Sequence, residues 1–283
     1  MDKCSKEISN GTVTYIENLT CDAKKRDGYD EHAHYDELEI YYFIEGDLYF
    51  SFEGEPILVS GGDVIIIASG YLHRTVIRTN CRYYRKRLLI KNDLFARLPH
   101  GGLELYNRLK QKELIYLDRE SAEQLKVDEM LCEVERQIEK NTALGDLCAS
   151  VAILPFLVKA EQLGGEEKLK RKSLSKTVDS IIKYIDANIS GELSYKAMAS
   201  EFHLSEKGLY KLFKNETGCP LAKYVRIKRL SRARQLLTQG ILPSVASEEA
   251  GFTDYSVFYR CFVNELGISP SKYIALYGLG HTM

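Results

Sequence analysis

The stretch ILPSVASEEAGFTDYSVFYRCFVNELGISPSKY, residues 241–273, repeats a pattern that also stands 49 positions earlier in the chain. Both copies carry an aromatic residue, an amide, an acid, a glycine, a lysine and a tyrosine in the same order and spacing. The matched residues are Phe213, Asn215, Glu216, Gly218, Lys223 and Tyr224 in the first copy, and Phe262, Asn264, Glu265, Gly267, Lys272 and Tyr273 in the second. Such a repeat indicates that one supersecondary unit occurs twice.

Each copy predicts a short helix, a turn and a second helix. In the second copy the short helix ends at Gly251, and Asp254 can cap the next helix, over residues 255–265. Ser205 has the same capping position in the first copy. The inward faces predicted for the two second helices are Leu209, Leu212 and Phe213, and Val257, Phe258, Cys261 and Phe262. The pattern indicates helix-turn-helix units near residues 194–215 and 244–265.

The outer faces of the two second helices carry hydrogen-bond donors and aromatic rings. Lysine and arginine can pair with guanine edges or phosphates, and serine and tyrosine hydroxyls can bond to either. A solvated charged face would explain one such helix, but the same polarity on both copies favours DNA binding. The predicted DNA-binding residues are Lys207, Tyr210, Lys211, Lys214, Tyr255, Ser256, Tyr259 and Arg260.

Residues 193–274 resemble the DNA-binding domain of the AraC/XylS family of bacterial transcription regulators, most strongly over residues 241–273. The resemblance implies that a long helix, expected over residues 220–237, joins the two units, and that both enter successive segments of the major groove. It further implies a transcription activator that contacts RNA polymerase. Two positions depart from the family: Val263 stands where a basic residue is usual, and Gly208 weakens the first of the two outward-facing helices.

Composition agrees with this division of the chain. The 283 residues suffice for two domains. Residues 173–283 hold 14 Lys and Arg against 10 Asp and Glu, whereas residues 1–172 hold 25 against 30, so the predicted DNA-binding half is the basic half. Seven cysteines without a close pair favour a reducing cytoplasm. No secretion signal is visible, and the apolar run over residues 148–158 is too short to span a membrane, so no membrane partner is expected.

Residues 1–92 predict β-structure, because short runs of branched and aromatic residues alternate with glycine-rich turns. Such closely spaced strands imply a barrel or a sandwich. The predicted strands cover residues 12–16, 38–44, 48–52, 57–59, 64–68, 74–77 and 83–90.

The same region carries His32, His34, Glu39 and His73, a set similar to the two cupin motifs. A cupin-like barrel is a frequent sensory domain of AraC-type regulators, so the resemblance implies a small-molecule effector, and within this family a sugar. Residues i and i+2 of a strand share a face, so both early histidines could point inward. The four residues and Tyr41 are the predicted ligand-binding residues. The open alternatives are a divalent transition metal held by the three histidines and Glu39, and a purely structural role.

Residues 93–163 predict a helical region. Asp118 is expected to cap one helix over residues 119–140, and residues 144–163 are apolar nearly all round and therefore expected to be buried. The narrow apolar stripe of the first helix, together with the family resemblance, predicts a homodimer through this region, and the open alternative is that the stripe packs on the barrel. The stripe consists of Val127, Met130, Leu131, Val134 and Ile138. A linker is expected at residues 164–173, followed by the DNA-binding domain over residues 174–283, which opens with a helix at 177–188.

The predicted fold is therefore a multidomain β plus all-α chain: a cupin-like barrel with helices after it, and then an all-α domain with two helix-turn-helix units. The predicted function is a cytoplasmic regulator that binds double-stranded DNA under control of a small molecule, with no enzymatic activity and no cofactor. Two alternatives come from other classes. One is a metal-dependent cupin enzyme or metal sensor fused to a DNA-binding domain, and the other is a helical repeat that binds protein.

Overall fold

The computed structural model describes residues 3–23, 32–34, 36–98, 101–164 and 174–277 of the chain. Apart from Gly164, the predicted linker lies outside the described residues.

The N-terminal part is a barrel of antiparallel strands, as the sequence predicts. Within the described ranges, a six-stranded sheet has the order β1-β2-β8-β3-β6-β9 and a three-stranded sheet the order β5-β4-β7. The strands are β1 Lys3–Ser9, β2 Val13–Ala23, β3 Glu37–Glu45, β4 Leu48–Phe52, β5 Glu55–Leu58, β6 Val64–Ile67, β7 His73–Ile77, β8 Cys81–Lys91 and β9 Leu114–Leu117.

Strand β3 is buried on both faces because the larger sheet has the barrel interior on one side and helices on the other. Tyr41 and Phe43 join the interior core, which also draws on the smaller sheet. Leu38 and Ile40, on the opposite face, pack with the helices that follow the barrel. Side chains alternate between the two faces of a strand, so a single strand contributes to both cores.

Two strands were not predicted. Strand β1 lies at the edge of the larger sheet and forms its backbone hydrogen bonds with β2. Its sequence, KCSKEIS, is mostly polar and lacks the run of branched and aromatic residues that predicted the other strands. Strand β9 lies in the region predicted to be helical, yet Leu114–Leu117 is fully buried and pairs with β6. Four residues are too few for periodicity to separate a buried strand from a buried helical turn.

Helices follow the barrel and then form the C-terminal part. Their bounds are α1 Asp93–Arg97, α2 Gly102–Gln111, α3 Arg119–Gln124, α4 Val127–Glu139, α5 Ala143–Leu163, α6 Lys176–Ala187, α7 Tyr195–Glu201, α8 Glu206–Thr217, α9 Leu221–Thr238, α10 Pro243–Glu249, α11 Tyr255–Leu266 and α12 Pro270–Tyr277.

The single helix predicted over residues 119–140 is in fact two helices. Asp118 caps α3 as predicted, accepting a hydrogen bond from the Ser121 backbone N–H at 3.0 Å. The chain then breaks at Lys126, whose φ of 54° is left-handed, and α4 begins. The apolar stripe of α4 is buried in the chain's own core against the larger sheet, so it is not an exposed dimer seam.

The expectation that residues 144–163 are buried all round is also wrong. One side of α5 packs into the core through residues such as Ile153 and Leu157, while the other side is exposed. With 21 residues, α5 is longer than the apolar run 148–158, and by length and composition alone it could cross a membrane, a property that core helices of soluble proteins share. Length therefore does not by itself exclude a membrane span.

The C-terminal part contains the two predicted helix-turn-helix units, α7–α8 and α10–α11, joined by the 18-residue helix α9. All of these helices share one apolar core. Helices α8 and α11 end at Gly218 and Gly267, whose φ angles of 70° and 73° are left-handed. The turns differ: His203 takes the left-handed conformation in the first unit, and Gly251 takes it in the second.

Candidate recognition surface and histidine cluster

Helix α8 exposes the four residues predicted for DNA contact. Ser205 caps it by accepting a hydrogen bond from the Gly208 backbone N–H at 3.1 Å, and Leu209 and Phe213 are fully buried beneath. Because these two positions fix the inward face, Lys207, Tyr210, Lys211 and Lys214 are left exposed. Lys214 Nζ donates to the Tyr210 hydroxyl at 3.1 Å, which holds both side chains on one face of the helix.

Helix α11 exposes the other four predicted residues. One carboxylate oxygen of Asp254 accepts hydrogen bonds from the backbone N–H groups of Ser256 at 2.6 Å and Val257 at 3.0 Å. These bonds hold the pKa of Asp254 below its usual value. The exposed predicted residues are Tyr255, Ser256, Tyr259 and Arg260.

One inward assignment on α11 is wrong. Phe258 and Phe262 are fully buried, but Val257 is 42% exposed beside the predicted contact residues. A 3.6-residue period places Val257 about 100° from Phe258 on the helix, so it turns away from the core. The sequence did not predict this exposed apolar side chain, whose chemistry matches that of a thymine methyl group.

The two exposed faces share the chemistry that reads nucleic acid. Both offer cations and hydroxyls, which can donate to phosphate oxygens and to guanine acceptors. The helix N-termini that carry Ser205 and Asp254 add partial positive charge, although the Asp254 carboxylate offsets it locally. The structure thus separates the predicted contact residues from the core in both units.

The histidines converge, though not in the predicted way. His32 and His34 precede β3 in a connecting segment, whereas both were expected on one strand. His32 instead forms an isolated bridge with His73 of β7: the His32 backbone N–H donates to the His73 carbonyl at 3.1 Å, and the reverse bond is 2.9 Å. The three imidazole ring centroids lie 4.5 to 5.5 Å apart.

Glu39 supplies the carboxylate at the centre of this histidine cluster, which consists of His32, His34, Glu39 and His73. Its Oε2 lies 2.8 Å from His73 Nε2 and 3.2 Å from His34 Nε2. The His73 Nδ1 lies 3.0 Å from the Tyr71 carbonyl, which fixes the ring. One candidate ligand atom from each residue can be chosen so that all four lie within 4.8 Å of one another.

Electrostatics in the cluster favour a charged carboxylate. Burial alone would raise the pKa of Glu39, but the charge and hydrogen bonds of His73 and His34 outweigh it and hold that pKa well below its usual range. Burial would lower the pKa of His34, but hydrogen bonds to Glu37 and Glu39 raise it to about 9. A buried, ionised carboxylate beside imidazoles is a good donor set for a cation or for a polar ligand.

Tyr41 lies apart from the cluster in a second polar group of the barrel interior. Its hydroxyl is 3.0 Å from the Tyr83 hydroxyl and accepts a hydrogen bond from Thr75 Oγ1 at 3.5 Å. The Arg85 guanidinium lies 5.7 Å from the Tyr41 ring centroid. The Phe50 ring separates this group from His73, with centroids at 5.2 and 5.8 Å respectively. Tyr41 was predicted from the sequence, but Thr75, Tyr83 and Arg85 were not. Arg85 stands in a basic stretch of β8, residues 82–87, where nothing local marks it as buried.

The donor chemistry fits a divalent transition metal. Three imidazoles and one carboxylate are ligands typical of zinc, iron or nickel sites. His34 Nε2 is buried and faces the Glu39 carboxylate at 3.2 Å, and a metal that displaced its proton would take this nitrogen as a ligand. If a metal bound here, His32, His34, Glu39 and His73 would hold it.

Two known families match this chain. Residues 198–275 match a helix-turn-helix domain, and residues 20–84 match a cupin domain. The first match begins within α7 and covers the rest of the two helix-turn-helix units, and the second covers strands β3 to β7 completely.

Relatives with known roles match longer stretches. The lactose operon transcription activator of Staphylococcus xylosus is 21% identical over 61% of this chain, and the transcriptional activator RhaR of Pectobacterium atrosepticum is 24% identical over 69%. The alignments cover 64% and 66% of those proteins, so the chain spans just under two thirds of their length. The multiple antibiotic resistance protein MarA of Salmonella typhimurium is 29% identical over 37% of this chain and 83% of its own length.

Proposed function

We propose that this chain, whose matched relatives are transcription regulators of the AraC family, reads an operator with α8 and α11 under control of a ligand in the barrel. The observation that carries the proposal is the exposure of all eight predicted contact residues on two helices that share one core. A helical repeat that binds protein would not need lysine, arginine and tyrosine at these positions in both copies. The protein would act in the cytoplasm, where the DNA is.

Single alanine substitutions on the two helices test the DNA-reading assignment. Arg260→Ala and Lys211→Ala should each weaken binding to an operator selected from random duplexes by about 1–3 kcal/mol, with little effect on folding because both side chains are exposed. Arg136→Ala, an exposed position on α4, serves as the control. If both variants bind as tightly as the parent, helices α8 and α11 do not read the operator.

The effector of this proposal is a small polar molecule, and a sugar is the first candidate class. The barrel interior offers an ionised carboxylate, imidazoles, tyrosine hydroxyls and an arginine, which suit a polyol. One relative is named for the lactose operon, which supports the same class. Activation through contact with RNA polymerase belongs to the proposal by family resemblance.

A divalent metal is the second candidate for the histidine cluster. The approach of four candidate ligand atoms to within 4.8 Å favours it. The chain would then be a metal sensor; a cupin enzyme is not proposed, because the matched relatives are regulators. Native mass spectrometry of the purified full-length chain separates the candidates. An added organic mass supports the small-molecule effector, and a metal-sized increment lost on chelation supports the metal.

We assign the homodimer interface to the exposed side of α5. Five of its exposed apolar residues follow one another at spacings of three or four, which places them in one stripe along the helix, as in a two-helix seam. They are Leu144, Leu147, Val151, Pro155 and Val158. A second copy of the chain fits this seam, since a two-fold contact pairs the stripe with itself and places two DNA-binding parts on repeated half-sites.

Sedimentation equilibrium tests the interface. Val151→Asp should convert a dimer to a monomer, because it places a charge in the middle of the seam without touching the core. Leu103→Asp, at an exposed apolar residue of α2, is the matched control and should leave the dimer intact. A parent chain that is monomeric at micromolar concentration, or a Val151→Asp variant that stays dimeric, contradicts the assignment.

A further inference from the structure

A buried ion pair joins the barrel to α9, the helix that connects the two helix-turn-helix units. The Arg234 guanidinium, 3% exposed, pairs with the Glu53 carboxylate and donates a hydrogen bond to the Gly70 carbonyl. It also lies 4.9 Å from the centroid of the Tyr71 ring. Burying two charges costs desolvation free energy, so such a pair is weak evidence for stability and stronger evidence for a specific arrangement.

Glu53 has a backbone conformation that glutamate rarely adopts, and its side chain makes contacts that stabilise it there. Glu53 and Gly54 form the two-residue turn between β4 and β5, with φ angles of 50° and 85°. A turn with two positive φ angles favours Asn-Gly or Gly-Gly, and glutamate is unfavourable at its first position. Its carboxylate compensates by pairing with Arg234 and by accepting a hydrogen bond from the Leu72 backbone N–H at 2.6 Å.

The residue after Leu72 is His73 of the histidine cluster. The Glu53 backbone N–H also donates to the Leu72 carbonyl at 2.8 Å, so Glu53 forms hydrogen bonds with both backbone groups of Leu72. A peptide bond joins His73 to Leu72, so a displacement of the His73 backbone also moves Leu72. Glu53 therefore lies between the cluster and Arg234.

The segment of residues 70–73 contacts the cluster on one side and the DNA-binding part on the other. The Gly70 backbone N–H donates to the His34 carbonyl at 2.7 Å, and both backbone groups of His73 bond to His32. On the opposite side, the Gly70 carbonyl accepts from Arg234, and Gly70 packs against the Tyr273 ring of α12. Leu72 itself belongs to the core of the DNA-binding part.

We infer that residues 70–73 and Glu53 relay occupancy of the histidine cluster to α9 and so set the relative placement of the two recognition helices. This inference rests on the proposed regulatory function and specifies its route. Two discrete states of one element, biased by ligands at both ends, are what coupling between sites requires. A ligand that fixes His73 strengthens the ion pair between Glu53 and Arg234, and loss of His73 weakens that ion pair.

Glu55 provides a matched control for Glu53. It also bonds to α9, accepting hydrogen bonds from the Tyr224 hydroxyl at 2.7 Å and from Lys228 Nζ at 3.3 Å. Its contacts among the described residues do not include residues 70–73. Glu55→Gln therefore weakens docking of the barrel on the same helix while the relay stays intact.

Hydrogen–deuterium exchange of the full-length chain tests the relay, with amides of residues 224–237 as the readout. Co²⁺ alone is the probe for the cluster, its binding followed by visible absorption. Co²⁺ should slow exchange in this part of α9, and His73→Asn should accelerate it, each by about fivefold or more, the lower end of ordinary allosteric coupling. Both effects should persist in a Glu55→Gln background and disappear in Glu53→Gln.

The outcomes separate the relay from the proposed function. Co²⁺ binding without a change in α9, or an equal change in Glu53→Gln, overturns the relay and leaves the ligand site standing. Absence of Co²⁺ binding removes the metal candidate, and the His73→Asn comparison then decides the relay alone. If His73→Asn does not fold, as judged by circular dichroism, His34→Asn replaces it, because the His34 carbonyl that binds Gly70 is retained.

Discussion

Helices α8 and α11 are copies of one pattern in different surroundings. Helix α8 ends against the barrel: the Gly218 carbonyl accepts a hydrogen bond from Arg74 at 3.0 Å, and a Cβ at Gly218 would meet the Tyr49 hydroxyl. Helix α11 begins with a stronger cap, since Asp254 accepts two backbone bonds where Ser205 accepts one. The first unit thus contacts the barrel, and the second has the more extensive helix cap.

The two helices also differ in the types of side chain that they expose. Helix α8 presents three lysines, which act as flexible point charges. Helix α11 presents two tyrosines, a serine and Arg260, whose planar guanidinium can bind guanine in a bidentate manner. We propose that α8 supplies affinity mainly through phosphates and that α11 supplies more of the sequence discrimination.

The largest expected effect comes from removing the α8 lysines. The variant Lys207→Ala/Lys211→Ala/Lys214→Ala should bind every duplex more weakly, with the slope of log K against log salt reduced by about 2.7, because each lost phosphate contact removes about 0.9. Fluorescence anisotropy over a salt series measures the slope.

The counterpart on α11 removes hydroxyls and keeps the aromatic rings. Tyr255→Phe/Ser256→Ala/Tyr259→Phe should leave the salt slope unchanged and reduce the preference for the selected operator over a scrambled duplex. If the lysine variant loses sequence preference and the hydroxyl variant loses salt dependence, the assignment of the two roles is reversed.

Contact between the first unit and the barrel can be measured with the two glycines that end α8 and α11. Alanine at either must adopt a left-handed φ, which costs about 1–2 kcal/mol. At Gly218 the new Cβ would also lie 1.7 Å from the Tyr49 hydroxyl, so a ring of the barrel must move. Gly218→Ala should therefore reduce the free energy of unfolding by about 1–3 kcal/mol more than Gly267→Ala does. If urea denaturation gave equal losses of unfolding free energy for the two variants, the barrel would not be in close contact with the end of α8.

The helical half was predictable because its signals are local. Ser205 and Asp254 stand immediately before their helices. Buried Phe213 and Phe262 each follow another buried apolar residue by four positions, so neighbouring residues suffice to place the exposed faces. Val257 was misplaced because an apolar residue directly before the buried Phe258 reads as part of the same inward face. The barrel was predicted as a fold, and its four cluster residues were found through residue type and family resemblance.

The contacts between the halves were not predictable. Glu53 sits in a turn, where an acid is ordinary, and Arg234 sits in a basic helix, where an arginine is ordinary. Only the folded chain brings the two together, and nothing near either residue marks it as buried. The same holds for β9, whose pairing with β6 depends on distant chain and not on its own four residues.

The caps provide a smaller contrast between the two units. Asp254→Ala should reduce the free energy of unfolding by more than Ser205→Ala does, since the first loses two backbone bonds and the second loses one. The Asp254 contribution also depends on pH. Its pKa is lowered in the folded state, so the contribution is fully present above the ordinary value near 3.8 and is lost as the pH falls further. Urea titrations at pH 7 compare the two variants.

The smallest expected effect concerns the order of α8 itself. Gly208 lies in its first turn, where alanine is the better helix former by up to about 1 kcal/mol. The new Cβ would lie 3.1 Å from Ser205 Oγ, so the capping side chain must give way slightly. Gly208→Ala should therefore stabilise the chain by only about 0.5 kcal/mol, which urea denaturation can resolve against the parent. In a Ser205→Gly background the obstacle is gone, and the gain should rise towards the full value. A loss of stability in both backgrounds would contradict this prediction, because neither helix propensity nor the contact with Ser205 Oγ would then account for the effect of the substitution.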